Sequence, residues 1–124
     1  GTVVQRRANR GPVEQGGWSA FCTNVGAMDC ISPATHTLLR GHGERAWFGW
    51  PSSPDIEAAR QRWIDAADDA SRRSIAADVQ RTAFRDVPYY PLGQYWQPSA
   101  YRTGMDGFIP GPVPLFWNVT MPVG

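Results

Sequence analysis

The stretch that decides the fold runs from Ser53 to Pro88, "SPDIEAARQRWIDAADDASRRSIAADVQRTAFRDVP". Ser53 ahead of Pro54 is a helix start, with a hydroxyl placed to cap the first free N–H groups and a proline at the first helical position. Asp55 and Glu57 fall in the first turn, where negative charge complements the helix dipole. Ile56, Ala59, Trp63 and Ala67 follow helical spacing and make an apolar stripe. Asp68-Asp69-Ala70-Ser71 reads as a tight turn and a second N-cap. Ile75, Val79, Ala83 and Val87 then recur every fourth residue, and the pattern stops before Pro88, whose ring disfavours a helical residue ahead of it. The spacing predicts a helical hairpin over residues 54–87, with arginines and aspartates on solvated outer faces.

Downstream the pattern changes from helical to extended. "RDVPYYPLGQYWQPSAYRTGMDGF", Arg85 to Phe108, sets Tyr89, Tyr90, Tyr95, Trp96, Tyr101 and Phe108 among Pro88, Pro91 and Pro98. Within it "YYPLGQY" reads as a strand restricted by proline to an edge or a connection, and "PLFWNVT" near the end reads as another short strand. Upstream, "GTVVQRRANRG" is a short helix-like or strand-like piece that breaks at Gly11-Pro12. "GGWSAFCTNV" alternates Trp18, Ala20 and Cys22 against Ser19, Phe21 and Thr23, the period of a strand. Ser32-Pro33 predicts a short helix ending at Gly41. "GHGERAWFGWPSSP" places Trp47, Phe48 and Trp50 on a loop, as plugs for a core. The fold class expected from these elements is α/β (α+β in arrangement), with a few short mixed strands beside the helical hairpin.

At 124 residues the chain is long enough for one domain with a modest core. Hydrophobic content of 42% and charged content of 19% suit a globular protein. A net charge of +1, with arginine as the sole basic residue type and no basic cluster, indicates neither nucleic acid nor an anionic membrane as a partner. No apolar run approaches the roughly 20 residues of a membrane span. The chain begins at Gly1 rather than at Met, so it reads as a mature or excised piece.

Two cysteines and two histidines invite a zinc reading, but Cys22, Cys30, His36 and His42 lack the paired spacing of compact zinc knuckles, so no metal ligand is assigned. Nor does anything mark the orienting group or oxyanion site that a Cys–His nucleophile needs; no catalytic residue and no cofactor are assigned. Cys22 and Cys30 are two reduced thiols in a reducing compartment and a possible disulfide in an oxidising one. Asp29 stands alone in the uncharged run "WSAFCTNVGAMDCISPATH". A carboxylate at such a junction either satisfies loop N–H groups or is the one fixed anion of an otherwise apolar pocket.

Taken as a series, "GGWSAF", "MDCISP", "AWFGWPSSPDIEAARQRW", the run from "RRSIAADVQRTAFRDV" through "PYYPLGQYWQPSAYRTGMDGF", and the terminal "PLFWNV" resemble one family along nearly the whole chain. It is that of the extracytoplasmic solute-binding proteins of bacterial ABC importers, in their oligopeptide/dipeptide-binding group. Because family members are several times longer, the resemblance implies the C-terminal part of such a protein. A ligand-binding lobe segment would span about 1–103 and a tail crossing to the other lobe about 104–124. It implies a non-enzymatic protein of the periplasm or the outer face of the cytoplasmic membrane. The ligand would be a peptide or other small solute, and the protein partner a membrane permease. It places Asp29 where a carboxylate pairs with the peptide's α-ammonium, with Trp18 and Asn24 as further pocket residues. The aromatic run after the last helix would be a strand leading toward the other lobe. The alternative from a different class is a small secreted or cytosolic enzyme using Cys and His.

Overall fold

Both expected helices form where their local chemistry places them. In the computed structural model, which describes residues 3–111, 113 and 115–121, a short helix α1 (Val3–Arg6) precedes α2 (Pro54–Asp65) and α3 (Asp69–Asp86). The Ser53 hydroxyl accepts from Ile56 N–H at 3.2 Å, ahead of Pro54 at the start of α2. Asp68 does the same for α3, accepting from Ser71 N–H at 2.8 Å. α3 ends on Val87, whose N–H reaches Ala83 O in a left-handed cap with φ 46°. A β-branched residue rarely adopts that conformation, but Pro88 next in line cannot continue a helix.

The chain divides into two compact units, Gly1–Tyr90 and Pro91–Gly124. In the first, α2 packs on α3 and buries Ile56, Ala59 and Val79 together with Leu39, which a 3-10 turn at Thr37–Leu39 delivers. Ala83 and Tyr89 close over this core. Trp63 and Ile75 are half-buried, whereas Ala67 and Val87 are exposed. Both exposed residues lie outside the helices that would have aimed them inward, Ala67 beyond the last turn of α2 and Val87 in the left-handed cap. The expected helix from Ser32 to Gly41 is instead a capped turn, with His36 N–H on Ser32 O at 3.0 Å, followed by the 3-10 turn. His36 at ψ 97° interrupts it, leaving too few residues to repay helix nucleation.

The expectation of an α/β fold with mixed strands is overturned. Among the described residues the regular structure is helical, and strand pairing is limited to isolated antiparallel bridges at His42–Ser52, Asp106–Thr120 and Ile109–Leu115. Residues 17–26 and 89–95 form no ladder. Alternation shows which side chains would share a face, but a strand exists only when a second strand accepts its N–H groups. Pro88, Pro91 and Pro98 also remove three donors from the second segment. Of "PLFWNVT", Pro114 lies outside the described residues, and the remainder holds single bridges at Leu115 and Thr120.

In the second unit Asp106 and Thr120 exchange backbone bonds at 3.1 and 3.2 Å. Tyr101 stacks on Phe108 at 4.0 Å, and Phe108 meets Phe116 edge-on at 6.5 Å. Gly107 makes this approach possible. Its φ is 81°, and a Cβ there would sit 1.9 Å from Asn118 O.

Candidate functional site

The loops before α2 carry every residue that the sequence marks for binding, and two charged residues of α2 hold the later part of them. Arg60 occupies a position of the apolar stripe, between Ile56 and Trp63, and is only 3% exposed. Its Nη1 donates to both Glu57 oxygens at 2.7 and 2.9 Å. Its Nε donates to Pro33 O at 2.7 Å and its Nη2 to Ala34 O at 3.0 Å. Glu57 also accepts from Gly41 N–H at 2.6 Å and pairs with His42 Nε2 at 3.0 Å. Gly41 is buried tightly enough that a Cβ would meet Ser53 O at 2.6 Å. One side chain thus ties down Pro33 and Ala34, just after the Asp29 turn, and the other ties down Gly41 and His42. A buried cation needs this many acceptors to be tolerated at all. Sequence reading placed the charges of the hairpin on solvated faces; the Glu57–Arg60 spacing of three, with Arg60 inside an apolar stripe, is the signal that identifies this exception.

Trp18 belongs to a ring cluster. It meets Phe21 edge-on at 4.5 Å and Trp50 at 6.0 Å, while Phe21 lies 5.7 Å from Trp47 and Phe48 lies 5.2 Å from Trp47. Trp47, Phe48 and Trp50 are half-buried rather than core. Two arginines cap the rings: Arg7 lies 4.4 Å from the Phe48 centroid and Arg10 4.4 Å from that of Trp50. The Trp18 indole N–H donates to Arg7 O at 2.9 Å, which fixes the cluster against α1.

Asp29 lies on a 3-10 turn, Ala27–Cys30, where its N–H donates to Gly26 O at 3.0 Å. The turn is exposed at Asp29, and among the described residues its carboxylate enters no ion pair. Asn24 is exposed on the preceding extended segment. The structure therefore puts Trp18 into the ring cluster and Asp29 on a separate turn. Cys22 is an exposed thiol and Cys30 a half-buried one; both are free. Burial, and secondarily the Asp29 charge, pushes the Cys30 thiol up.

The histidines are not isolated surface residues. His42 pairs with Glu57, and His36 is half-buried with Nε2 3.3 Å from the Tyr89 hydroxyl and its Nδ1 buried without a partner. Burial, then the nearby Arg60 charge, holds His36 below its ordinary value. Among the described residues no group of three His, Cys, Asp or Glu side chains is arranged to hold a metal ion. A groove of about 470 Å³ between α2 and α3 is lined by Asp55, Arg62, Asp78, Arg81, Thr82 and Arg85. Its charges pair with one another, Arg85 with Asp55 at 2.6 Å and Arg62 with Asp78 at 3.8 Å, so it is a solvated ion-pair face.

No helix among the described residues is long and apolar enough to cross a membrane. No family profile matches the chain. Over 119 residues it is 38% identical to a protein of Sinorhizobium fredii named as a probable peptide ABC transporter periplasmic-binding protein. That match covers 96% of this chain and 22% of the relative, so the chain spans about a fifth of the length of the curated relative it matches. Identity at that level, sustained over almost all of this chain, is common ancestry rather than a shared short motif, and it relates the chain to about a fifth of a periplasmic-binding protein of an ABC transporter.

Proposed function

We propose that this chain is the C-terminal part of the solute-binding component of an ABC-type importer. The whole protein is exported, closes two lobes around a peptide, and hands it to a membrane permease; it performs no catalysis. The single observation that carries this reading is the relationship to a periplasmic-binding protein along 119 residues. Residues 1–103 contribute to the ligand-binding lobe and residues 104–124 return toward the other lobe. In the oxidising compartment this implies, Cys22 and Cys30, free thiols in this structure, are the two candidates for a disulfide that would close a short loop.

Asp29 receives the peptide's α-ammonium, with Trp18 and Asn24 beside the ligand. Supporting this, the Asp29 carboxylate is exposed and has no ion-pair partner among the described residues. An ammonium drawn into a closing, low-dielectric cleft needs a fixed anion, because burying it alone costs several kcal/mol. Asp29→Ala in the full-length protein is expected to weaken peptide binding by about 2–5 kcal/mol, mainly through faster release. Calorimetry with a free peptide and its N-acetylated form tests this. Unchanged affinity in a folded Asp29→Ala protein overturns the assignment. Mass spectrometry of solutes that co-purify with the full-length protein identifies the ligand.

A further inference from the structure

Arg7 is a half-buried cation whose side chain has no ion-pair or hydrogen-bond partner among the described residues. Its guanidinium lies 4.4 Å from the Phe48 centroid and 5.6 Å from that of Trp47. Its Nε is buried and has no hydrogen-bond partner. Neither a carboxylate nor a carbonyl among the described residues accepts from the side chain. Arg60, which is buried as a whole, has four such acceptor contacts, on Glu57, Pro33 and Ala34. Arg10, which also lies on a ring, pairs with Glu44 at 3.6 Å.

A guanidinium has two kinds of surface. Its flat face stacks on aromatic rings, and its edge presents a fork of N–H groups that matches the two oxygens of a carboxylate. In Arg7 the face is in use and the fork is not. The ring contact offsets part of the charge but satisfies no N–H group, and a buried donor without an acceptor is destabilising. The backbone beneath it is fixed: Arg7 N–H donates to Val3 O at 3.0 Å, and Arg7 O accepts from the Trp18 indole at 2.9 Å. Trp18, Phe21, Trp47 and Phe48 thus form a rigid aromatic bed that orients one unspent, preorganised fork.

We infer that Arg7 is a carboxylate-recognition group. The carboxylate comes from one of two sources, the C-terminal end of the peptide solute or an acidic side chain elsewhere in the longer protein. The solute arm rests on the peptide-binding reading above; the second arm does not.

The test uses the full-length protein and an Arg7→Met variant, which keeps an unbranched apolar stem over Phe48 and Trp47 while removing charge and donors. The probes are trialanine and trialanine amide. If the solute supplies the carboxylate, the parent protein binds the free acid about tenfold more tightly than the amide, and Arg7→Met abolishes that preference. If the longer chain supplies it, acid and amide bind alike, or neither binds. The unliganded melting temperature then falls on going from about pH 7 to about pH 3.5, and the fall is smaller in Arg7→Met, because the paired carboxylate titrates in that window. A role confined to ring stacking lowers stability equally at both pH values. The inference is overturned if Arg7→Met changes neither the acid-over-amide preference nor the pH dependence of melting. Failure of the Asp29 assignment is separately visible, since it is read with N-acetylated peptide.

Discussion

Arg60→Met removes the cation around which the loops before α2 are assembled, and its cost follows from what it leaves behind. Arg60 is 3% exposed and its stem is packed against the core elements, a volume that Met keeps. The losses are therefore polar. Glu57 gives up two contacts at 2.7 and 2.9 Å, and the carbonyls of Pro33 and Ala34 lose donors at 2.7 and 3.0 Å. Removing one partner of a buried ion pair costs about 3–5 kcal/mol. Glu57 is 20% exposed and keeps Gly41 N–H and His42, which places this case at the lower end, about 3 kcal/mol. A double variant, Arg60→Met with Glu57→Gln, leaves no buried charge while its amide oxygen still accepts from Gly41 N–H. It is expected to recover about 1 kcal/mol relative to Arg60→Met alone. Urea unfolding of the parent, both single variants and the double variant measures the full cycle. A loss below about 1 kcal/mol for Arg60→Met, or a double variant no better than the sum of the singles, refutes the claim that this pair organises the loops.

Ser53→Ala removes both the α2 cap and a hydrogen bond to Asp86, so it is expected to destabilise by about 1–2 kcal/mol in the same urea assay. His36 binds its proton less readily when folded than its unfolded value of about 6.5, because burial and Arg60 disfavour the charge. The unfolded state therefore takes up protons first. The stability that neutral His36 contributes is fully present above about pH 6.5 and falls as pH drops below it; the melting temperature of the parent should fall more steeply across this window than that of His36→Gln. In reduced protein a thiol reagent at mildly alkaline pH should modify exposed Cys22 before Cys30, whose thiol is raised by burial and then by Asp29. Asp29→Asn should hasten the second reaction, as read by mass spectrometry of partially labelled protein.

What the sequence determined by itself is the helical hairpin and its ends. Ser53-Pro54, Asp68 with Ser71, and the stop at Val87-Pro88 are each settled by groups within four residues of one another, so the chain needs no tertiary partner to specify them. The resemblance along the chain was legible for the same kind of reason, since it rests on the order of residues and not on their packing. Asp29 could be singled out as the lone acid of its stretch, but its exposure on a turn and its lack of an ion-pair partner among the described residues are visible only in three dimensions. Tertiary structure alone decided the rest. Alternating residues in "GGWSAFCTNV" and the aromatic "YYPLGQY" have the period of strands, yet form no ladder among the described residues, because pairing depends on a second strand that periodicity does not supply. Arg60 and Arg7 look like ordinary surface charges in a chain with twelve arginines. Arg60 is buried because carbonyls from residues 33 and 34 and the Glu57 carboxylate converge on it, and Arg7 is half-buried because rings from residues 47 and 48 fold beneath it. Those are long-range meetings of desolvated polar groups, and local spacing carries no record of them.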